Sequence, residues 1–426
     1  MTPAARLQSA IEVLEALQDT AKPADRFLRD WFRARRYAGS KDRAAVAERV
    51  FAVLRHRASL AWRMADEQPR ALVLASLAAE GCDPASIDGL FSGAGYGPRP
   101  LNESERAAIL SPRTDPAPLW VQDEFPQFLE QELARSLGDA LLDEMRAMCA
   151  RAPIDLRTNT LKATRDDVLR ELRDEGFAAE PTPYAPHGIR IAKHVGAAAL
   201  GRTRAFLDGR FEFQDEAAQI ASLLCAAQPG EQILDLAAGA GGKALALAAS
   251  MSNEGLILAR DNDAGRLSQL PPRAARAGVT IIAEELAEAD PPGASFDAVF
   301  VDAPCSGSGA WRRQPELKWR LTPERLLELQ VTQDQLLDQA AATTRGRIVY
   351  GTCSLLACEN TDRVAAFLAR HPAFCIANAE AIWREATCLA PPPGMGDYFR
   401  ATPRATGTDG FFAAILVRLD KPRGDN

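Results

Sequence analysis

Apolar residues recur at helical spacing over roughly the first 145 positions. Stretches such as RAAVAERVFAVLRHRASLAWRM place Ala, Leu and Val three and four apart between Arg and Glu, with almost no alternation of period two. This pattern predicts a helical domain, interrupted by Gly and Pro in SGAGYGPRPLN (92–102) and SPRTDPAP (111–118) before a last helical run, FPQFLEQELARSLGDALLDEMRAM. From residue 151 the pattern shortens. IDLRTNTLK and HGIRIAK predict strands on either side of a helix, TRDDVLRELRDEG, closed by Gly176. Beyond Phe211 continuous apolar runs end in Asp, Gly or Cys: EQILDLAAGAGGKALALAASM, GLILARDND, FDAVFVDAPCSGSG and GRIVYGTCS. Runs of this kind suit parallel strands buried on both faces, with ligand-binding groups at their carboxyl ends. The expected order is a helical domain over 1–145, a small α+β linker domain over 146–210 and a doubly wound α/β domain over 211–426. DPPGAS (290–295) and APPPGMGD (390–397) are expected loops.

Composition narrows the class without choosing a function. The 426 residues are 47% hydrophobic and 25% charged, which excludes wholesale disorder. No apolar run approaches the ~20 residues that cross a bilayer, so a cytoplasmic chain with no membrane partner is expected. The eight cysteines form no CxxC pair and have no histidine at metal spacing, so reduced thiols and no metal site are expected. None of the four histidines lies in a site-like segment, and a nucleophile here needs another activator. Although net charge is −7, residues 26–63 hold eleven arginines and lysines against Asp30, Asp42 and Glu48, a candidate phosphate-binding face. The alternative is a solvated helix surface laced by ion pairs.

ILDLAAGAGGKALALAA puts Asp235 at a strand end, then Ala237, Ala238, Gly239, Ala240, Gly241 and Gly242, and then Lys243 at the start of a helix. Glycine allows a tight turn and close ligand approach, while free helix-start N–H groups favour an anionic group. A nucleotide-type cofactor follows. A Walker A loop does not, because Ala237 and Ala244 stand where it needs Gly and Ser or Thr. About twenty residues on, ARDND offers Asp261 or Asp263 to a ribose, which a dinucleotide or S-adenosylmethionine would equally satisfy.

Two cysteines, Cys305 in VDAPCSGSG and Cys353 in YGTCS, close successive strands among small and polar neighbours. Methylation of pyrimidine carbon 5 requires that carbon to be made nucleophilic, and a thiolate adding to carbon 6 does this without an imidazole. A base must then remove the carbon 5 proton before the thiol can leave. Asp302 is placed to share a proton with the ring nitrogen.

FQDEAAQ (213–219), LDLAAGAGGK (234–243), VDAPCSGSGAWRRQPELKWR (301–320), YGTCSLLACEN (350–360) and GTDGFFAAIL (407–416) together resemble the Nop/Sun family of RNA cytosine carbon-5 methyltransferases. The resemblance implies a Rossmann-like class I domain binding S-adenosylmethionine at the Gly239–Lys243 turn with Asp261, and Lys243 and Asp302 lining the target base. It also implies Cys353 as nucleophile and Cys305 as the thiol that promotes product release. GSKDRAAVAERVFAVLRHR looks like a NusB-like RNA-binding domain, which favours rRNA over tRNA as partner of an expected monomer. Trp311, Arg312, Arg313, Lys318, Trp319 and Arg320 then form a second basic and aromatic cluster suited to gripping RNA, or a lid packing its tryptophans inward. Ala237 and Ala240 depart from the family's Cys and Pro, and Ala357 from its Pro. For the acid that contacts adenine the chain offers Glu284 or Glu285. Cys358 is an extra thiol without an assigned role. The other readings are a noncatalytic RNA-binding or ribosome-assembly factor, which both cysteines and Asp302 weigh against, and an NAD-linked oxidoreductase, which explains neither cysteine.

Overall fold

In the computed structural model, residues 1–113, 115–192, 196–286 and 296–419 are described. The expected loop at 290–295 lies outside them. The chain separates into two compact units: Met1–Ala134, Gly138–Ala150 and Trp311–Leu321 form one, and Arg135–Leu137, Arg151–Ala310 and Thr322–Asn426 the other.

The first unit is helical. Helices Pro3–Gln18, Ser40–Arg55 and Pro69–Ala79 bury the apolar stripes that the sequence spaces three and four apart, with Ala10, Val13, Val46, Val50, Val53, Val73 and Leu74 in the core. Proline at the first turn and a Thr2 side chain accepting from the Ala5 amide start the first of them.

The second unit holds two sheets. The smaller orders its strands β2-β3-β1-β4, all antiparallel: β1 (Ile154–Thr158), β2 (Ala179–Pro181), β3 (Gly188–Ile191) and β4 (Phe211–Phe213). Strand β4 lies past residue 210, yet it pairs with β1 and belongs to this sheet. The larger comprises β5 (Gln232–Leu236), β6 (Leu256–Asp261), β7 (Ile282–Leu286), β8 (Phe296–Asp302), β9 (Thr344–Thr352), β10 (Phe374–Ala377), β11 (Phe399–Ala401) and β12 (Phe411–Arg418). Its order is β10-β12-β9-β8-β5-β6-β7, with β11 on the far side of β12. β5 to β9 run parallel, and β12 enters antiparallel to β9. Because β5 lies between β6 and β8, the winding reverses there, and such a switch point opens a crevice at the strands' carboxyl ends. The α/β reading of this region is correct. Ile233, Leu234, Ala298, Val299, Phe300, Val301, Ile348 and Val349 are fully buried, as strands covered on both faces require.

FQDEAAQ joins the two sheets. The Arg190 guanidinium donates to both carboxylate oxygens of Asp155 at 2.7 and 2.8 Å. Asp155 also accepts from the Glu216 amide at 3.2 Å, and Glu216 in turn accepts from the amides of Tyr184 and Ala185. Removing the acid would leave the half-buried Arg190 with Glu216 alone at 3.3 Å and the Glu216 amide without its acceptor. Asp155→Ala is therefore expected to lower stability by about 2 kcal/mol in urea unfolding, and a loss within the error of the fit would show that this joint is dispensable.

Candidate functional site

The carboxyl end of β5 delivers Asp235, after which the chain turns through Ala237 (φ 65°), Gly239 (φ 59°) and Gly241 (φ 79°) into the helix Gly242–Ser250. Left-handed backbone at alternate positions lets the loop fold back on itself, and a side chain at Gly241 would strike Leu270. Three outside groups pin the loop. Asp261, at the end of β6, accepts from the Gly239 amide at 2.7 Å and from the Asp263 amide at 2.8 Å. Arg273 donates to the Ala240 carbonyl at 2.5 Å, and Arg157 of β1 donates to the Gly242 carbonyl at 2.9 Å. Burial lowers the Arg157 guanidinium to about 10.

Beneath the loop, Asp235 is fully buried and neither carboxylate oxygen meets a hydrogen-bond donor among the described side chains. Burial, reinforced by the nearby Asp302 carboxylate, pushes Asp235 up to about 7. A buried acid without a partner is costly in the isolated protein, and a cationic ligand group would relieve it.

β8 and β9 pair in parallel with Asp302 opposite Gly351, so the segments that follow leave the same sheet edge. They bring Cys305 and Cys353 within 3.3 Å, sulfur to sulfur. The Cys305 thiol is pushed well up, first by its hydrogen bond with Cys353 and then by burial, so it keeps its proton. Lys243 donates to Asp302 at 2.5 Å, and its ammonium lies 5.5 Å from the Phe411 ring centre. Burial disfavours the Lys243 charge, but Asp302, Cys353 and Asp235 outweigh it and raise the lysine's pKa. In place of an imidazole, the thiol pair therefore has a fixed ammonium ion beside it.

Lys243, Asp302, Cys305 and Cys353 thus gather at one sheet edge, with Asp235 and the Ala237–Gly242 loop next to them. The acids at the end of β6 differ in task. Asp261 clamps the glycine loop, whereas Asp263 caps the helix Ala264–Leu267 by accepting from the Gly265 and Arg266 amides. Glu285 on β7 is engaged by the buried Arg260 at 2.7 Å, and Glu284 beside it is exposed. Among the described residues no three His, Cys, Asp or Glu are placed to hold a metal, and no helix is long and apolar enough to cross a membrane.

Sequence reasoning missed Glu359, whose carboxylate is fully buried beside the cysteines. Of the two readings of the segment from Trp311 to Arg320, the structure favours the one that packs it inward over a free RNA grip. Trp311, Arg312 and Lys318 are buried inside the helical unit. Lys318 donates to the Glu124 carbonyl, Trp319 to the Leu54 carbonyl, and Arg320 to the Leu17 and Lys22 carbonyls. The apolar face of this short segment finds its cover in helices far earlier in the chain. In the basic stretch, Arg49 pairs with Glu80 and Arg57 with Glu67, acids that lie beyond it, while Arg26, Arg36 and Lys41 are exposed.

Residues 222–417 match the profile of the 16S rRNA methyltransferase RsmB/F, and residues 125–198 match that of the RsmF/B-like ferredoxin-like domain. Ribosomal RNA small subunit methyltransferase F of Serratia proteamaculans is 32% identical over 67% of the chain and 59% of its own length. Ribosomal RNA small subunit methyltransferase B of Salmonella newport is 33% identical over 63% and 60%. The chain thus spans about three fifths of the length of these curated relatives. The solved structure of PH0851 is 25% identical with a TM-score of 0.76, covering 98% of this chain and 99% of its own. NSun6 from Pyrococcus horikoshii, solved with SFG, shares the fold at 20% identity and a TM-score of 0.60, over 70% of this chain and all of its own.

The raised Asp235 carboxyl makes a prediction for the protein without added ligand. An unfolded aspartate titrates near 3.8 and the folded one near 7, so between those values the folded state holds a proton that the unfolded state has lost. Asp235 therefore favours folding less and less as pH rises from about 4 to about 7, and its penalty is constant above that. The melting temperature of Asp235→Asn minus that of the wild type should climb across this interval and then level. A flat difference would show that the carboxyl titrates normally.

Proposed function

The chain belongs to the RsmB/F branch of the Nop/Sun methyltransferase family, and from that premise we propose that it methylates carbon 5 of a cytosine in RNA, small-subunit ribosomal RNA before tRNA, through a covalent bond between Cys353 and carbon 6. The observation that carries this reading is the pair of thiols 3.3 Å apart beside the Lys243–Asp302 ion pair. Cofactor chemistry alone explains neither sulfur, and a noncatalytic scaffold needs neither.

The residues at the end of β5 fit S-adenosylmethionine, which when bound supplies an electrophilic sulfonium methyl. The orphaned oxygens of Asp235 suit its cationic end, the Ala237–Gly242 backbone accommodates a close ligand, and Asp261 and Glu285 would hold its ribose and adenine groups.

The protein's own groups account for the rest. Cys353 sulfur bonds to carbon 6, and the carbon 5–carbon 6 π pair moves toward carbon 5 and the ring nitrogen. Asp302, held by Lys243, relays the proton that leaves the Cys353 thiol to that nitrogen as charge grows there. Once the methyl is on carbon 5, the proton at that carbon must leave so that its electrons restore the double bond and break the bond from sulfur to carbon 6. Cys305 takes that proton as a thiolate, its own thiol proton having passed to solvent once Cys353 is a thioether. The first cause that pushes its thiol up is the hydrogen bond with the Cys353 sulfur, and that cause lapses when Cys353 becomes a thioether.

Bisulfite sequencing of rRNA and tRNA from cells with and without the protein should show one or more protected cytosines that depend on it, in 16S rRNA first. Purified Cys353→Ala should lose methyl transfer by about 10⁴-fold or more. Cys305→Ala should instead accumulate a protein–RNA adduct that migrates slowly on a denaturing gel. An adduct that survives in Cys353→Ala and vanishes in Cys305→Ala would reverse the two roles, and an unchanged bisulfite pattern would favour the scaffold reading.

A further inference from the structure

Glu359 lies at the end of a short 3₁₀ turn, Ala357–Glu359, six residues after Cys353. It is fully buried, where a carboxylate is expensive unless every oxygen is engaged. Its donors come from three separate stretches of chain. One oxygen accepts from the Ser306 amide at 2.8 Å and the Gln333 side-chain amide at 3.0 Å. The other accepts from the Ser306 and Ser354 hydroxyls, each at 2.5 Å. Ser306 directly follows Cys305, and Ser354 directly follows Cys353. Gln333 also donates to the carbonyl of Pro304, the residue before Cys305. The Tyr350 hydroxyl fixes Glu359 from behind by donating to its backbone carbonyl at 2.6 Å.

A buried ion of this kind is weak grounds for stability, because a well-packed apolar side chain usually serves as well. Its placement serves another end. We propose that Glu359 is a positioning residue that sets the approach of the Cys305 and Cys353 sulfurs by tying together the residues that follow them. The proposal rests on the covalent reading above, since only that reading gives the distance between the sulfurs a purpose. Glu359 touches neither sulfur through a hydrogen bond. It acts on them through backbone and hydroxyl groups one residue away, which its two oxygens tie together by accepting from four donors.

Two substitutions separate positioning from bulk stability. In Glu359→Gln the amide oxygen still accepts from the Ser306 amide and Gln333. The amide NH₂ then donates to the two serine hydroxyls, which turn toward Ser308, 3.2 Å from the Ser306 oxygen and 3.1 Å from that of Ser354. In Glu359→Ala all four donors lose their acceptor. The assay uses the full chain, labelled S-adenosylmethionine and rRNA from cells lacking the protein. Glu359→Ala should lose about 100-fold in kcat, the usual cost of an ångström's misplacement at a reacting centre, with KM for RNA and for S-adenosylmethionine changed less than about threefold. Glu359→Gln should recover kcat to within about tenfold of wild type. Retained kcat in Glu359→Ala, a loss confined to KM, or equal losses in both variants would overturn the proposal. If Glu359→Ala does not fold, Ser354→Ala removes one tie and should lower kcat alone, about tenfold, an unchanged value again overturning it. Wild-type enzyme run in parallel distinguishes the two claims. If it makes no 5-methylcytosine, the covalent reading itself fails.

Discussion

A parallel register governs this site. Because β8 and β9 align Asp302 with Gly351, both strands release their chains at one level of the sheet edge, and the loops close on each other through main-chain bonds. The Ala303 amide donates to the Gly351 carbonyl and the Gly309 amide to the Cys353 carbonyl, each at 2.9 Å. Gly309 in turn packs directly on Gly410 at the mouth of β12, with no room for a side chain between them. Two thiols almost fifty residues apart in sequence are therefore held at contact distance by sheet geometry, before any side chain refines it.

Charge is then distributed around that pair. Lys243, Asp302 and Asp235 sit at the ends of β5 and β8, where the winding reverses, and their fields act on one another. Lysine holds its proton because two acids and a sulfur face it, and Asp235 resists ionisation because Asp302 already carries charge nearby. An apolar crevice could bind a base but would set no fixed cation beside the thiols, and here Lys243 stands there without histidine.

Much of this was legible in the sequence. The parallel strands β5, β6, β8 and β9 announced themselves as continuous apolar runs ending in Asp, Gly or Cys, and the glycine loop by its spacing, whereas the parallel edge strand β7, IAEEL, is too polar and exposed to read as one. The short antiparallel strands β2 and β4 were not legible, because three residues carry too little pattern to stand out from a loop. The task of Asp263 could have been read from its place just before a helical segment, an ordinary capping signal. Glu359 could not, since its burial depends on donors contributed by Ser306, Gln333 and Ser354, three places the sequence does not bring together. Nor could the fate of Trp311 and Lys318. Their spacing shows that the segment has an apolar side, but what covers that side is decided by helices hundreds of residues earlier.

The central claim is a bond between one sulfur and one base carbon, and it can be read directly by mass. RNA containing 5-fluorocytosine accepts the methyl but keeps fluorine where a proton must depart, so the enzyme should stay attached. Tryptic digestion and tandem fragmentation of that complex, with S-adenosylmethionine present, should place the nucleotide on Cys353 and not on Cys358, which shares its peptide. A nucleotide found on Cys305, or no attached nucleotide while methyl transfer to ordinary RNA proceeds, would contradict the account.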